Sequence, residues 1–200
     1  MKLIYKGIYK NEDQLPKGIL PYNAVKFKEP ETTGMLILVA ALFMLPALIL
    51  VALIMLSSAF LHGGLNLQRN SFAYITGLVL SFLTIYPHEL LHALCFGKNA
   101  EVELFIAPKK LMVFVISTQP VTKMRFIFLS LLPNLVFGWF PLLLWAVLPY
   151  HNISNFVFCF SIMSILFGVG DYLNVFNAIR QMPKGSMQQL SGFHSYWFMP

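Results

Sequence analysis

Four long apolar stretches dominate the pattern of hydrophobic and polar positions along the chain. They cover roughly residues 35–56, 71–96, 126–148 and 153–179. A helix needs about 20 apolar residues to cross about 30 Å of hydrocarbon, and each stretch is long enough to do so. The pattern therefore predicts an all-α polytopic membrane protein with about four transmembrane helices.

The segment at 100–122, between the second and third apolar stretches, has a different period. Its first half alternates between two faces, with Val102, Leu104 and Ile106 on one and Glu101, Glu103 and Phe105 on the other. The turn-like PKK and the β-branched run LMVFVISTQ follow. This pattern predicts a β-hairpin between helices two and three. Because an open strand edge cannot face lipid, the hairpin is expected at the membrane interface or against the helices.

The two ends of the chain are more polar than the region between them. Pro16, Pro21 and Pro30 exclude a long helix in the first 34 residues, which are a candidate for lying along the membrane surface. The end, GSMQQLSGFHSYWFMP, is polar and then aromatic. A loosely ordered terminus is the favoured interpretation there, and anchoring of its aromatic rings at the headgroup layer is the alternative.

Composition and charge agree with a membrane protein. Hydrophobic residues make up 58% of the chain and charged residues 11%, with a mean hydropathy of +0.69. Of the fourteen Lys and Arg residues, only Arg69 lies in the loop at about 57–70, and none lies in the third loop. The positive-inside rule therefore places both termini and the loop at about 97–125 in the cytoplasm. The basic residues are dispersed rather than clustered, which argues against nucleic acid as a partner.

A short ionisable cluster interrupts the second apolar stretch, in IYPHELLHALCFG at 85–97. His88 and His92 are four residues apart, so a helix places both imidazoles on one face, about 6 Å apart in rise. Glu89 follows His88 and can reach a metal-bound water. This H-E-x-x-H spacing is typical of zinc sites in which zinc lowers the pKa of water and the glutamate takes its proton. A chance match is the alternative, but ionisable groups in a spanning segment are costly unless an ion or partner stabilises them.

A catalytic zinc site usually has a third protein ligand and one open position. Asp171, in GVGDYLNVFNAIR, is the only acid in the fourth apolar stretch. It lies about 27 Å from the outer end of its helix, and His88 lies about 26 Å from the outer end of its own. Asp171 is therefore predicted at the level of the histidines, as the third ligand. A solvated helix end is the competing interpretation of Asp171, and the alternative ligands are Cys95, Glu101 and Glu103.

Three further residues are candidates for supporting roles. Asn134, in SLLPNLVFGW, lies about 13 Å from the inner end of the third helix. Its amide could stabilise an oxyanion or hold a substrate backbone. It could equally form a structural hydrogen bond between helices, and the sequence favours neither role. Asn174 is one turn beyond Asp171 and is a candidate to orient it. Pro87 is expected to kink or open helix two just before the histidines.

The order of these features resembles the site-2 protease group of intramembrane zinc metalloproteases. Those features are HELLHALCFG on a membrane helix, a β-hairpin, LLPNLVFG on a helix, and an Asp on the last helix. The chain is similar over nearly its whole length to a bacterial family of zincin membrane peptidases described only as a domain of unknown function. The site-2 resemblance implies His88 and His92 as zinc ligands, Glu89 as general base, Asp171 as third ligand, and Asn134 at the amide position of the third core helix.

Together the residues and the resemblance predict an intramembrane zinc metallopeptidase that cuts a peptide bond near the cytoplasmic face. Its partners would be the lipid bilayer and a membrane-associated protein or peptide substrate, in a bacterial plasma membrane. We expect a cytoplasmic or interfacial segment at 1–34, a membrane metallopeptidase-like domain at 35–179 and a cytoplasmic tail at 180–200. The alternatives are a metal-binding scaffold without activity and, less favoured, a small metal or proton transporter.

Overall fold

The computed structural model describes residues 1–29, 33–65, 71–108, 112–149 and 152–200. The predicted turn at Lys109 and Lys110 and the loop residue Arg69 lie outside these ranges. The prediction of an all-α fold is wrong, because the described residues form a mixed α/β structure with two β-sheets. One sheet has three strands in the order β1-β3-β4, and the other has four in the order β2-β7-β6-β5.

The described part of the chain contains seven α-helices, seven strands and a short 3₁₀-helix at Glu12–Gln14. The helices are α1 (Thr33–His62), α2 (Ser71–Leu83), α3 (Ile85–Leu94), α4 (Lys123–Asn134), α5 (Phe140–Val147), α6 (Asn152–Phe167) and α7 (Val169–Gln181). The strands are β1 (Lys2–Ile8), β2 (Val25–Lys26), β3 (Glu101–Ala107), β4 (Met112–Ile116), β5 (Val121–Thr122), β6 (Met187–Ser191) and β7 (His194–Phe198). A π-helical turn, Leu135–Trp139, joins α4 to α5.

The chain divides into two compact units. The first, which we call the sheet unit, contains Met1–Glu29, Ile85–Leu132 and Asn174–Pro200. The second, the helical unit, contains Pro30–Thr84 and Pro133–Leu173. Both sheets and the whole of α3 belong to the sheet unit.

The predicted hairpin is confirmed as the antiparallel pair β3–β4, with Phe105 opposite Phe114. The N-terminal segment adds β1 to it in parallel, with Leu3 opposite Val102. Parallel pairing covers the second edge of β3, so β3 is the central strand and β4 is an outer strand. The side chains of Val102, Leu104 and Phe105 are almost fully buried, which explains the apolar residues on both faces of this strand.

The C-terminal tail is a second hairpin, β6–β7, so the favoured interpretation of a loosely ordered terminus is wrong. Its two-residue loop is Gly192–Phe193, and Gly192 has φ +61°, the left-handed conformation that such tight turns require. β7 also pairs with β2 near the N-terminus, and β6 pairs with β5. The second sheet therefore gathers strands from the beginning, middle and end of the chain.

The prediction of four spanning helices is also wrong. Among the residues that the structure describes, two helical segments are long and apolar enough to cross a membrane, Ala41–His62 and Lys123–Val147. A third span exists only if the bent pair Ser154–Phe167 and Val169–Gln181, which turns by 49°, counts as one. The second predicted span is divided into α2, with 13 residues, and α3, with 10. A helix of 13 residues is only about 20 Å long, less than the hydrocarbon thickness.

Proline explains one of the two breaks in apolar stretches that read as continuous. Pro87 has no N–H to offer to the carbonyl of Leu83, and its ring would clash with that carbonyl in an unbroken helix. Helix α2 accordingly ends at Leu83, and a new helix begins at Ile85. This break agrees with the opening predicted just before the histidines. The second break is at Gly168, between α6 and α7.

Candidate metal centre

Three chemically active side chains lie together on α3. His88 and His92 are one helical turn apart, and their ring centroids are 4.9 Å from each other. With Glu89 they form a group whose possible ligand atoms all lie within 4.8 Å of one another. His92 is buried, whereas His88 and Glu89 are half-buried. The helix therefore places two imidazoles and a carboxylate around one point, with partial access from outside.

The buried histidine is held by a backbone carbonyl. His92 Nδ1 lies 2.7 Å from the carbonyl oxygen of Leu129 in α4. A carbonyl oxygen only accepts hydrogen bonds, so Nδ1 carries the proton and donates it. The lone pair of the neutral ring is then on Nε2, which is the atom available to a metal. Hydrogen bonds of this kind fix the tautomer and ring orientation of histidine ligands.

The carboxylate of Glu89 is tied to the neighbouring hairpin. Its Oε2 accepts a hydrogen bond of 3.0 Å from the backbone N–H of Val115 in β4. β4 is an outer strand, and Val115 is opposite Leu104 of β3. Because this N–H donates to Glu89 and not to β3, it points toward the open edge of β4. The glutamate therefore stands between the histidines and a strand edge.

The opposite side of α3 anchors the helix in an apolar core. Ala93 is completely buried, as is Val102 of β3. They belong to a cluster of buried residues from α3, α4, α7, the strands and the segments beside them: Phe27, Ala93, Phe96, Ala100, Val102, Val121, Phe126, Leu129, Ala178 and Met182. Arg125 adds a hydrogen bond of 2.6 Å from its Nε to the carbonyl of Cys95, just after the end of α3. The side chains of His88, Glu89 and His92 are thus carried on a helix fixed at both its buried face and its C-terminus.

This donor set fits zinc. Zinc prefers imidazole nitrogen, thiolate sulfur and carboxylate oxygen, and a catalytic zinc has three protein ligands and one open position. His88 and His92 supply two nitrogens from one helix face, and the tautomer of His92 leaves Nε2 for coordination. Among the described residues, His88, Glu89 and His92 are the one group of this kind close enough together to hold a metal ion.

Two of the alternative third ligands already have cationic partners. Glu101 Oε1 lies 2.8 Å from Nζ of Lys2, and Glu103 Oε1 lies 3.1 Å from Nζ of Lys6. The hydrogen bond and the charge of Lys2 hold the pKa of the Glu101 carboxyl below its ordinary value. Both lysines come from β1, the strand that pairs with β3. These ion pairs give the two carboxylates a structural explanation that does not involve a metal.

The helical unit brings together the other two predicted site residues. Nδ2 of Asn134 donates a hydrogen bond of 2.7 Å to Oδ2 of Asp171. Asn134 is buried and Asp171 is half-buried. The sequence suggested Asn174 as the partner of this carboxylate and did not suggest Asn134. The assignments of Asp171 as zinc ligand and of Asn134 as a catalytic amide stay predictions.

Sequence reasoning missed the backbone groups of the site. The carbonyl of Leu129 and the N–H of Val115 orient His92 and Glu89, yet every residue except proline offers both kinds of group. No residue type marks them in the sequence. They become identifiable only when α4 and β4 are packed against α3.

A helix carrying H-E-x-x-H with an oriented histidine and a glutamate beside a strand edge defines a zinc peptidase of the zincin class. The sequence profile of a family described as "Putative zincin peptidase" matches residues 81–187, more than half of the chain. The chain belongs to this family, whose metal is zinc. The match includes all five predicted site residues. No curated protein and no solved structure matches the chain.

Proposed function

We propose that the protein is an intramembrane zinc metallopeptidase that hydrolyses a peptide bond near the cytoplasmic face of the membrane. The observation that carries the proposal is the grouping of His88, Glu89 and His92 on α3, with Glu89 beside the outer strand β4. His88 and His92 would hold zinc, and Asp171 is the proposed third ligand. Zinc at this position would lower the pKa of a water molecule and polarise the scissile carbonyl.

Glu89 acts as the general base and then as the general acid of the proposed reaction. Its carboxylate takes a proton from the attacking water as the bond from the water oxygen to the carbonyl carbon forms. It then gives that proton to the leaving nitrogen as the carbon–nitrogen bond breaks, so that an acid and an amine are the products. Retention of a glutamate at this position favours an enzyme over a scaffold, because metal binding alone needs no base.

An extended peptide would bind along the outer edge of β4 by strand addition. The N–H of Val115 at that edge is already held by Glu89, and Val113 faces the same edge because strand positions alternate. Backbone hydrogen bonds of this kind accept many sequences, and side-chain pockets then supply the selectivity. A membrane-associated segment that unwinds near the bilayer surface is the proposed substrate.

The first test is whether proteolysis depends on zinc. Purified protein in detergent is stripped of metal by a chelator, and one half is given back one equivalent of zinc. Each half is mixed with solubilised membrane proteins, and new N-termini are labelled and identified by mass spectrometry. New N-termini should arise only with the zinc-restored half, because the metal activates the water. Bound zinc at one per chain with no zinc-dependent N-termini would favour the scaffold.

We also propose a plasma-membrane location with both termini in the cytoplasm. The two apolar helices and the excess of Lys and Arg in the terminal segments support it.

Reporter fusions test this orientation. Green fluorescent protein fused after Pro200 or before Met1 should fluoresce, and alkaline phosphatase at the same positions should be inactive, because both ends are expected inside. The matched control is phosphatase inserted after Gly64, beyond the end of α1, where it should be active. Active phosphatase at either terminus would contradict the proposed orientation.

A further inference from the structure

A partly buried hydrogen bond joins two interrupted helices within the helical unit. Asn134 is the last residue of α4, directly before the π-helical turn Leu135–Trp139. Asp171 lies in the first turn of α7, directly after the break at Gly168. The 2.7 Å contact runs from the Asn134 amide nitrogen to Asp171 Oδ2, since a carboxylate accepts and the nitrogen is the donor. The bond fixes the rotation of the Asp171 carboxylate.

Gly168 leaves the space that this amide occupies. A Cβ atom at residue 168 would lie 1.6 Å from Oδ1 of Asn134 and 2.4 Å from its Nδ2. Both distances are far shorter than any van der Waals contact. The φ angle of Gly168 is not in the left-handed region, so the backbone alone would accept other residues. Glycine is needed here for space and not for conformation.

The amide is only partly satisfied. Asn134 is 1% exposed, and its Oδ1 has no hydrogen-bond partner among the residues that the structure describes. Leaving a buried acceptor unpaired destabilises the folded protein. A side chain present only for stability would be replaced by an apolar one at little loss, so the unpaired oxygen points to a role for the donating nitrogen. That role is exerted on its partner, Asp171.

We propose that Asn134 is a positioning residue for Asp171, and that Gly168 is required because it admits the Asn134 side chain. The amide would keep the carboxylate in a fixed orientation for binding zinc, as hydrogen-bonded partners of metal ligands do. This inference rests on the proposed function, in which Asp171 is the third ligand. It replaces the oxyanion role that the sequence left open for Asn134.

The experiment measures zinc affinity by chelator competition on the purified full-length chain in detergent. Asn134→Ala and Gly168→Ala should each weaken zinc binding by about 10–100-fold, the usual effect of losing a partner of a metal ligand. The double variant should bind zinc no more weakly than Asn134→Ala alone. The methyl group at residue 168 then fills space that the amide has left, so the two effects do not add.

Two other glycines serve as matched controls. A Cβ at Gly170 would meet nothing within 4 Å, so Gly170→Ala should bind zinc like the wild type. A Cβ at Gly138 would lie 2.7 Å from Cγ1 of Ile165, so Gly138→Ala crowds the contact between the π-helical turn and α6. It should lower the melting temperature of the metal-free protein without a selective loss of zinc affinity.

The other possible results distinguish the positioning role of Asn134 from its alternatives. Unchanged zinc affinity in Asn134→Ala, with a lower melting temperature or a lower kcat, would overturn the inference in favour of a structural or oxyanion role. Additive losses in the double variant would overturn the role of Gly168. Asp171→Asn is measured alongside. If Asp171→Asn binds zinc normally, Asp171 is not the third ligand and the proposed function loses that assignment. If Asp171→Asn binds zinc weakly but Asn134→Ala binds it normally, only the positioning role of Asn134 is contradicted.

Discussion

Glu89→Gln is expected to lower kcat/KM for peptide hydrolysis by about 10²–10⁴-fold, the usual contribution of a general base. About one zinc ion should remain bound per chain, because the proposed ligands are unchanged. Glutamine has no basic oxygen to take a proton from water, but its amide oxygen still accepts the N–H of Val115. Elemental mass spectrometry and cleavage assays on one preparation measure both effects.

The matched control is Glu103→Gln. Glu103 is on β3 and pairs with Lys6, so its substitution changes the charge equally without removing a group of the metal centre. It should keep both zinc and activity. Zinc lost together with activity in a well-folded Glu89→Gln protein would instead make Glu89 a ligand, and full activity in that variant would remove it from the reaction.

The metal-binding helix and the hairpin could be predicted because their signals are local. Histidines at i and i+4 are on one face of any helix, so the 4.9 Å between the rings of His88 and His92 follows from spacing alone. The alternation in AEVELFIA likewise specifies β3 without reference to distant residues. Family membership adds zinc to these two elements.

The fold class was mispredicted because the strand pairs are distant in sequence. Lys2 is opposite Glu101, and Val25 is opposite Trp197. The sequence KLIYKGI does not indicate the strand with which it pairs. Parallel strands are not joined by a tight turn, so no turn sequence marks the pair either. Strands of two residues, such as β2 and β5, exist only because β7 and β6 are beside them. The predicted membrane content was also too high, since hydropathy averages over breaks such as Gly168.

The breaks themselves are part of the candidate chemistry. The interruption before Ile85 starts a new helix immediately before the histidines, and the one at Gly168 lets Asn134 reach Asp171. An unbroken apolar helix would offer neither the polar contacts nor the close approach.

His88→Ala and Asp171→Asn are expected to reduce bound zinc from about one per chain to a small fraction. Removing a ligand should weaken zinc binding by more than the 10–100-fold that loss of a ligand's hydrogen-bond partner typically costs. Asn is nearly isosteric with Asp but lacks the charge that stabilises the cation. Elemental mass spectrometry on detergent-purified protein measures the metal, and the melting temperature without metal checks folding.

His194→Ala and Asp13→Asn are the matched controls, since both residues are exposed and lie outside α3 and α7. Both should keep zinc. Loss of zinc in His88→Ala but not in Asp171→Asn would move the third ligand, and Cys95 would then be the first candidate, because Glu101 and Glu103 are paired with lysines. A wild-type protein that holds no zinc even after zinc is added back would contradict the peptidase proposal and leave the scaffold.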